Sequence, residues 1–391
     1  MLKFAFQTPT RLIFGAGKLD ALRTEKLPGK KALLLTSRGR SVERSGTLAR
    51  VLTALEVQGV TAVHMPIVEP NPLLTTVMTA AARAREEGCD FVIGLGGGSV
   101  MDCAKATAVM ATNPGDFWDY IPSGQGGRKP IEIDPLPIVA ISTTAGTGSE
   151  VDGGGVITNP GTQEKSGFGG HIGLFPTLAI VDPELTLTVP PLLTAFQGFD
   201  ALFHAIEGYL SKKANPLGDM FALEAVRHIS AGLVRAVKDG RDLDARCHVS
   251  LANTLSGYVM ACGRLTSMHS MEHALSAFHQ ELPHGAGLIM LSIPYFQHMI
   301  QTGARSDRFV ELARALGVRD AVHPADFLRA LHDLEAACDV ADLRMSEVGV
   351  TREEIPALAE KARSSGAALF ELDPVALTFE DTVSIYEASF R

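Results

Sequence analysis

Asp200 and His204 are four residues apart in the helical stretch "GFDALFHAIEGYLS", so both side chains project from one helix face. His269 and His273 repeat that spacing in "SMHSMEHALS", and His284 follows Pro283 in "LPHGAGLIML", where another helix begins. A carboxylate and imidazoles drawn from three segments can converge on one divalent metal. Each pair alone is a weak signal, because helical pairs at this spacing are commonly packed or capped. Of the other histidines, His64, His228, His248, His279, His298, His323 and His332 have no partner at ligand spacing and read as structural.

A second chemistry-bearing stretch is "GLGGGSVMDCAKA" (94–106), between an apolar run and a helical pattern. Glycine at this density leaves backbone N–H groups bare, and the next helix points its positive end at the same place. No Gly-Lys-Ser/Thr follows at P-loop spacing. Ser99 stands where a G-x-G-x-x-G fingerprint needs its third glycine. The stretch therefore reads as a pyrophosphate turn of a less common kind. Thr143 to Ser149 forms another Gly/Ser/Thr-rich turn after a strand, again with hydroxyls and bare amides. Lys165 offers a positive charge to phosphate or ribose, or is a surface lysine.

Together these features suggest hydride chemistry. A nucleotide would lie in a cleft between domains, and a metal across that cleft would bind a substrate oxygen. Lewis-acid polarisation favours alkoxide over alcohol and prepares a carbonyl for hydride attack.

The elements that position these residues fall into two textures. Residues 30–37, 60–67, 89–96, 136–143 and 177–185 are buried strand-like runs separated by helical patterns at 46–59, 70–88 and 100–112. That alternation implies a parallel sheet wound with helices, with ligands at the carboxyl ends of the strands. Beyond the double proline at 190–191 strand signals fade, and Ala, Leu, Met and His recur at helical spacing. We expect an α/β domain over 1–188 and an all-helical domain over 189–391, packed without a linker.

The 391 residues suit two domains, with 46% hydrophobic and 20% charged residues, as in a soluble globular protein. A net charge of −9 and no basic run argue against nucleic-acid binding. Five cysteines without metal or redox spacing fit a reducing compartment. The N-terminal stretch shows no signal-peptide pattern, and no apolar run reaches the ~18 residues of a membrane span. The expectation is a cytoplasmic protein.

The chain resembles the iron-dependent (group III) alcohol dehydrogenase family along nearly its whole length. The resemblance rests on "RLIFGAG" (11–17), "EPNP" (69–72), "GGGSVMDCAKA" (96–106), "STTAGTGSEV" (142–151), "VDPELTLTVPP" (181–191), "GFDALFHAIEGYLS" (198–211), "HSMEHALS" (269–276) and "PHGAGL" (283–288). It implies a dehydroquinate synthase-like fold, with an N-terminal dinucleotide-binding domain and a helical metal-binding domain. It implies metal ligation by Asp200, His204, His269 and His284, with His273 as a proton-relay member near the nicotinamide. It also implies pyrophosphate binding by Gly97, Gly98 and Ser99, with Asn71, Asp102, Thr143, Thr144, Thr147 and Lys165 lining the rest of the groove. The metal would be iron(II), although Asp and His ligation suits zinc equally. A homodimer or higher oligomer is the family expectation.

Three departures stand out. Asp152 replaces the usual Thr after "GSEV", where it could accept from the carboxamide or a substrate hydroxyl, or could turn away. "KSGFGGHIGLFP" (165–176) is glycine-rich where the family has an apolar strand, which suggests a mobile loop from which His171 could reach substrate. One extra residue lies between His273 and His284, in "FHQELP", which could move the pocket edge.

The leading function is an NAD(P)-dependent alcohol dehydrogenase or aldehyde reductase. A hydroxyacid–oxoacid transhydrogenase and a zinc-using glycerol-type dehydrogenase are alternatives within the family. A sugar-phosphate lyase or cyclase on the same fold would need several cleft cations, and near the ligands only Arg264 is available. A metal-free reductase is at odds with the complete ligand set. Phe168, Phe199, Phe203, Met260 and Phe278 are as well read as core as pocket.

NAD-preferring members place an Asp at the end of the second strand, and here that place belongs to Ser37 in "LLLTSRGRSVERSG". No carboxylate follows until Glu43, while Arg38, Arg40 and Ser41 share the turn. This arrangement favours NADP(H).

Overall fold

A computed structural model describes residues 4–390. The chain divides into two compact units. One holds Gln7–Thr144 and Gly148–Thr188. The other holds the chain from Val189 onward, the short segment Ala145–Thr147 and the described N-terminal residues through Phe6.

The first unit is built on six strands: β1 (Arg11–Phe14), β2 (Lys31–Ser37), β3 (Thr61–Val68), β4 (Phe91–Gly96), β5 (Ile138–Ser142) and, after a hairpin, β8 (Leu178–Val181). Their order is β1-β8-β5-β4-β2-β3, with every neighbouring pair parallel. Period-two side-chain alternation divides β2 between two cores. Leu33 and Leu35 pack with α3 (Leu74–Glu87) and α4 (Gly98–Thr112). Ala32 and Leu34 pack with α2 (Thr47–Val57), which follows the short α1 (Ser41–Arg44). Both faces are thus covered, and each leucine so buried contributes about 1.5–3 kcal/mol. Helix α3 ends at Gly88, whose φ of 61° is the left-handed stop that a glycine accepts.

The glycine-rich stretch after Glu164 is not a mobile loop. It forms β7 (Glu164–Gly169), antiparallel to β6 (Gly154–Asn159). A Cβ at Gly155 would come within 2.8 Å of the Phe168 ring, so glycine there admits the ring. Phe168 stacks edge-on against Phe117 at 4.9 Å and belongs to the core. His171 caps the short helical turn that follows β7. Its Nδ1 accepts from Gly173 N at 3.1 Å and its Nε2 lies 3.5 Å from Asp134.

The second unit is helical: α5 (Pro191–Leu210), α6 (Pro216–Lys238), α7 (Leu243–Cys262), α8 (Ser267–Phe278), α9 (His284–Gln301), α10 (Ser306–Ala315), α11 (Ala325–Ala337), α12 (Ile355–Ser365), α13 (Ala367–Phe370) and α14 (Phe379–Ser389). Helix α5 is buried on every side from Gly198 to Leu210, which makes it the central element. Phe199 and Phe203 lie in this core. Buried Arg246 anchors the start of α5, donating to Thr194 Oγ1 at 2.8 Å and to Val189 O at 3.0 Å. Among the described residues no helix is long and apolar enough to cross a membrane.

Candidate metal and dinucleotide sites

Helix α5 carries Asp200 and His204, helix α8 carries His269 and His273, and helix α9 begins at His284. Ligand atoms of Asp200, His269 and His284 all lie within 4.8 Å of one another. Asp200 Oδ1 is 3.6 Å from His269 Nε2 and 3.5 Å from His284 Nε2, beyond ordinary hydrogen-bond reach. Asp200 Oδ1 and His269 Nε2 are buried without a hydrogen-bond partner. His204 stands beside this trio rather than in it. Its ring is 4.3 Å from the His269 ring, and its Nδ1 donates to the Asp200 carbonyl at 2.8 Å.

Each remaining imidazole has a carboxylate behind it. His269 Nδ1 donates to Glu207 Oε1 at 2.5 Å, and His284 Nδ1 donates to Glu272 Oε2. Both glutamates are fully buried. These bonds keep a proton on Nδ1, so Nε2 is the nitrogen turned toward the common point. Burial opposes the His269 charge, but Glu207 and Asp200 outweigh it and raise its pKa to about 10. Burial also works against the Asp200 carboxylate, and the His204 and His284 imidazoles nevertheless hold it well below the usual range. This donor set, with two orphaned buried atoms, fits a divalent cation.

His273 is half-buried, with its ring 5.5 Å from that of His284 and 6.4 Å from that of His269. The turn after β5 also contributes here. Ala145 N donates to Gln197 Oε1 at 3.1 Å, and a Cβ at Gly146 would come within 3.0 Å of Asp200 Oδ2. Glycine at 146 therefore lets this backbone approach the aspartate.

The glycine turn at 94–99 lies at the carboxyl end of β4 and opens α4 without a side-chain cap. A Cβ would meet Val100 at Gly96 (2.6 Å) and Thr144 at Gly97 (2.8 Å). These glycines thus serve close packing as well as bare amides. Thr143 N donates to Gly96 O at 2.9 Å, joining the two turns. Ser37 ends β2 beside a register shift, and Asn71 holds a φ of 53° after β3. Lys165 is buried on β7 rather than exposed.

Asp102 is committed within the protein. Its Oδ1 accepts from Ser149 Oγ at 2.7 Å and its Oδ2 from Val156 N at 2.8 Å. Burial, opposed by Lys105 and these hydrogen bonds, pushes its pKa up to about 6. Asp152 is likewise occupied and does not point outward as a spare acceptor. It pairs with Lys105 at 2.6 Å. His228 and His248, which have no sequence partner, meet across α6 and α7 with Nδ1 atoms 2.7 Å apart.

Residues 9–183 match the family described as "Iron-containing alcohol dehydrogenase", and residues 194–390 match "Fe-containing alcohol dehydrogenase family, C-terminal". The chain belongs to the iron-containing alcohol dehydrogenase family. It is similar to 1,3-propanediol dehydrogenase of Citrobacter freundii, at 34% identity over 93% of this chain and 94% of that one. Among solved structures it is similar to an archaeal halo-thermophilic alcohol dehydrogenase from a Red Sea brine pool, bound to NZQ. The TM-score is 0.95 and the identity 35%, with 100% of both chains covered. Sulfoacetaldehyde reductase of Bifidobacterium kashiwanohense, in complex with NAD+, aligns with a TM-score of 0.86, 30% identity and 99% coverage of each chain. This iron-containing alcohol dehydrogenase is accordingly a metal-dependent, NAD-linked oxidoreductase acting on an alcohol–aldehyde pair.

Glu207, Glu272 and Lys105 escaped the sequence reading. The first two carried a signal: Glu207 is one turn beyond His204 and Glu272 one turn beyond His269.

Proposed function

We propose that Asp200, His204, His269 and His284 hold one divalent metal, and that Gly97, Gly98 and Ser99 take the pyrophosphate of the dinucleotide. The metal reading rests on Asp200 Oδ1 and His269 Nε2, buried and orphaned 3.6 Å apart. A cation between them removes the cost of two unsatisfied groups. Iron(II) is the first choice from family membership, and zinc suits the same donors.

When bound, the metal supplies Lewis acidity toward a substrate oxygen. The chain's own residues do the rest. The Nδ1 partners hold each imidazole in the tautomer that presents Nε2. His273 takes the hydroxyl proton during oxidation and returns it during reduction. Asn71, Asp102, Thr143, Thr144, Thr147 and Lys165 complete the cofactor groove, with Asp102 bracing the turn from within. Ser37 and its neighbouring arginines favour NADP(H). The domain boundary at 188/189 is supported by the start of the helical unit's main segment at Val189. A cytoplasmic location is supported by five free cysteines, and a homodimer by family resemblance alone.

The test replaces His204 or His269 with Ala. Each variant should lose most metal and nearly all turnover while still binding dinucleotide. Full metal occupancy in both variants refutes the site. For the reaction itself, the purified protein is assayed with NADH or NADPH against an aldehyde panel, with and without chelator. Turnover that chelation leaves intact is incompatible with the proposal.

A further inference from the structure

Two buried carboxylates stand behind the histidines of the proposed metal site, and neither belongs to the ligand set. Glu207 on α5 accepts from His269 Nδ1, and its other oxygen accepts from Thr266 N at 3.0 Å and Thr266 Oγ1 at 2.8 Å. Glu272 on α8 accepts from His284 Nδ1 through Oε2 and from Ser276 Oγ through Oε1. An imidazole is the ionic partner of each. His204 differs, because its Nδ1 meets Asp200 itself, at the backbone carbonyl (2.8 Å) and at Oδ1 (3.1 Å), rather than a separate glutamate.

From this asymmetry we infer that Glu207 and, above all, Glu272 are positioning residues that set the affinity of the site for a divalent cation. The inference rests on the metal reading above. A carboxylate at Nδ1 keeps a proton there and turns Nε2 forward, where a cation takes the place of any proton it carries. Its charge also makes that nitrogen a stronger donor. Asp200, Glu207 and Glu272 place three negative charges in a water-poor interior. In front of them a dication is the natural counter-charge.

The two glutamates differ in how cleanly they can be tested. Thr266 N can only donate, so a glutamine at 207 would face His269 Nδ1–H or Thr266 N–H with its own NH2 group. Substitution there disturbs the helix cap as well as the histidine. At 272 the second partner is the Ser276 hydroxyl, which can reverse and accept. Glu272→Gln therefore keeps an acceptor for His284 while removing the charge.

The experiment uses the full chain stripped of metal and titrated anaerobically with Zn(II) against a chromophoric chelator. The melting temperature is recorded with and without Zn(II). E272Q should bind Zn(II) about 10-fold more weakly, and E272L about 100-fold more weakly. The metal-free melting temperature of E272Q should stay near wild type, while the increment from Zn(II) shrinks. A purely structural glutamate would lower both melting temperatures equally and leave the increment unchanged, which overturns the inference. Unchanged Zn(II) affinity in E272Q, with binding lost in His269→Ala, also overturns it and spares the metal site. Equal binding by wild type and His269→Ala sinks the metal site itself. Two Zn(II) per wild-type chain and one in E272Q would make Glu272 a ligand, against this inference.

Discussion

Lys105 Nζ lies 2.6 Å from Asp152 Oδ1, and the lysine side chain is fully buried. Its other two protons go to Ser149 Oγ at 2.9 Å and Gly154 O at 2.7 Å. Ser149 in turn donates to Asp102, so α4 and the segment entering β6 form one polar network. Asp152→Ala would leave a buried ammonium facing neutral acceptors. Such a loss costs about 3–5 kcal/mol. Chemical denaturation should show it, and the double variant Lys105→Met/Asp152→Ala should lose less than the two single changes added. Strict additivity would mean the pair is not coupled.

His273 sits close to the proposed ligands without belonging to the Asp200 cluster. We expect His273→Ala to lower turnover and shift its pH dependence while metal content stays near normal. Metal lost in proportion to activity would make His273 a ligand.

The wound sheet was legible because its strands are nearly continuous apolar runs, and Gly88 and Pro283 mark real helix boundaries. The hairpin was not. In 165–169 the glycines alternate with buried Ser166 and Phe168, so composition hid a period-two pattern. The residues that the fold gathers into the Asp200–His269–His284 cluster were legible from i, i+4 spacing plus a helix start. The carboxylates behind them were not, because a glutamate on a helix reads as exposed until packing shows what covers it. Asp152 stayed open between two readings for a similar reason: its partner Lys105 is 47 residues away in the chain.

Asp373 gives a pH dependence with a definite sign. Its Oδ1 accepts from Ser267 N and Tyr295 OH, both at 2.8 Å, while Oδ2 has no partner. Burial outweighs these bonds and raises its pKa to about 7. The unfolded chain ionises near the ordinary value of about 4. Between those values the folded state holds a proton that the unfolded state has lost. This contribution is therefore complete below about pH 4 and disappears as pH rises through about 7. Asp373→Asn resembles the protonated acid, so wild type and variant should be similar at pH 4. At pH 8 the variant should be the more stable in denaturant titrations. A stability difference that does not change between the two pH values would contradict the assignment.

We expect cofactor choice to turn on the end of β2. Ser37 supplies no carboxylate there, but Arg38 in the same turn meets an acid other than Glu43. Arg38 Nε donates to Ile67 O at 2.7 Å, and its NH2 group lies 3.1 Å from Glu69 Oε2. Glu69 is held from its other side by Leu73 N and Thr76 Oγ1, each at 2.8 Å. Arg38 thus pairs with Glu69, which on the NADP(H) reading would otherwise repel a 2′-phosphate. Arg40 is largely exposed, 3.8 Å from Glu43, and remains available to a phosphate. A charge-assisted hydrogen bond is worth about 1.5–3 kcal/mol, or roughly 10- to 100-fold. Arg40→Ala should therefore raise KM for NADPH by about tenfold and leave KM for NADH nearly unchanged. Arg38→Ala should act in the same direction by unmasking Glu69. Ser37→Asp should penalise NADPH far more than NADH, since the new carboxylate accepts from ribose hydroxyls and repels phosphate. Steady-state kinetics with both cofactors decide the matter, and a strong preference of the native enzyme for NADH would reverse this reading.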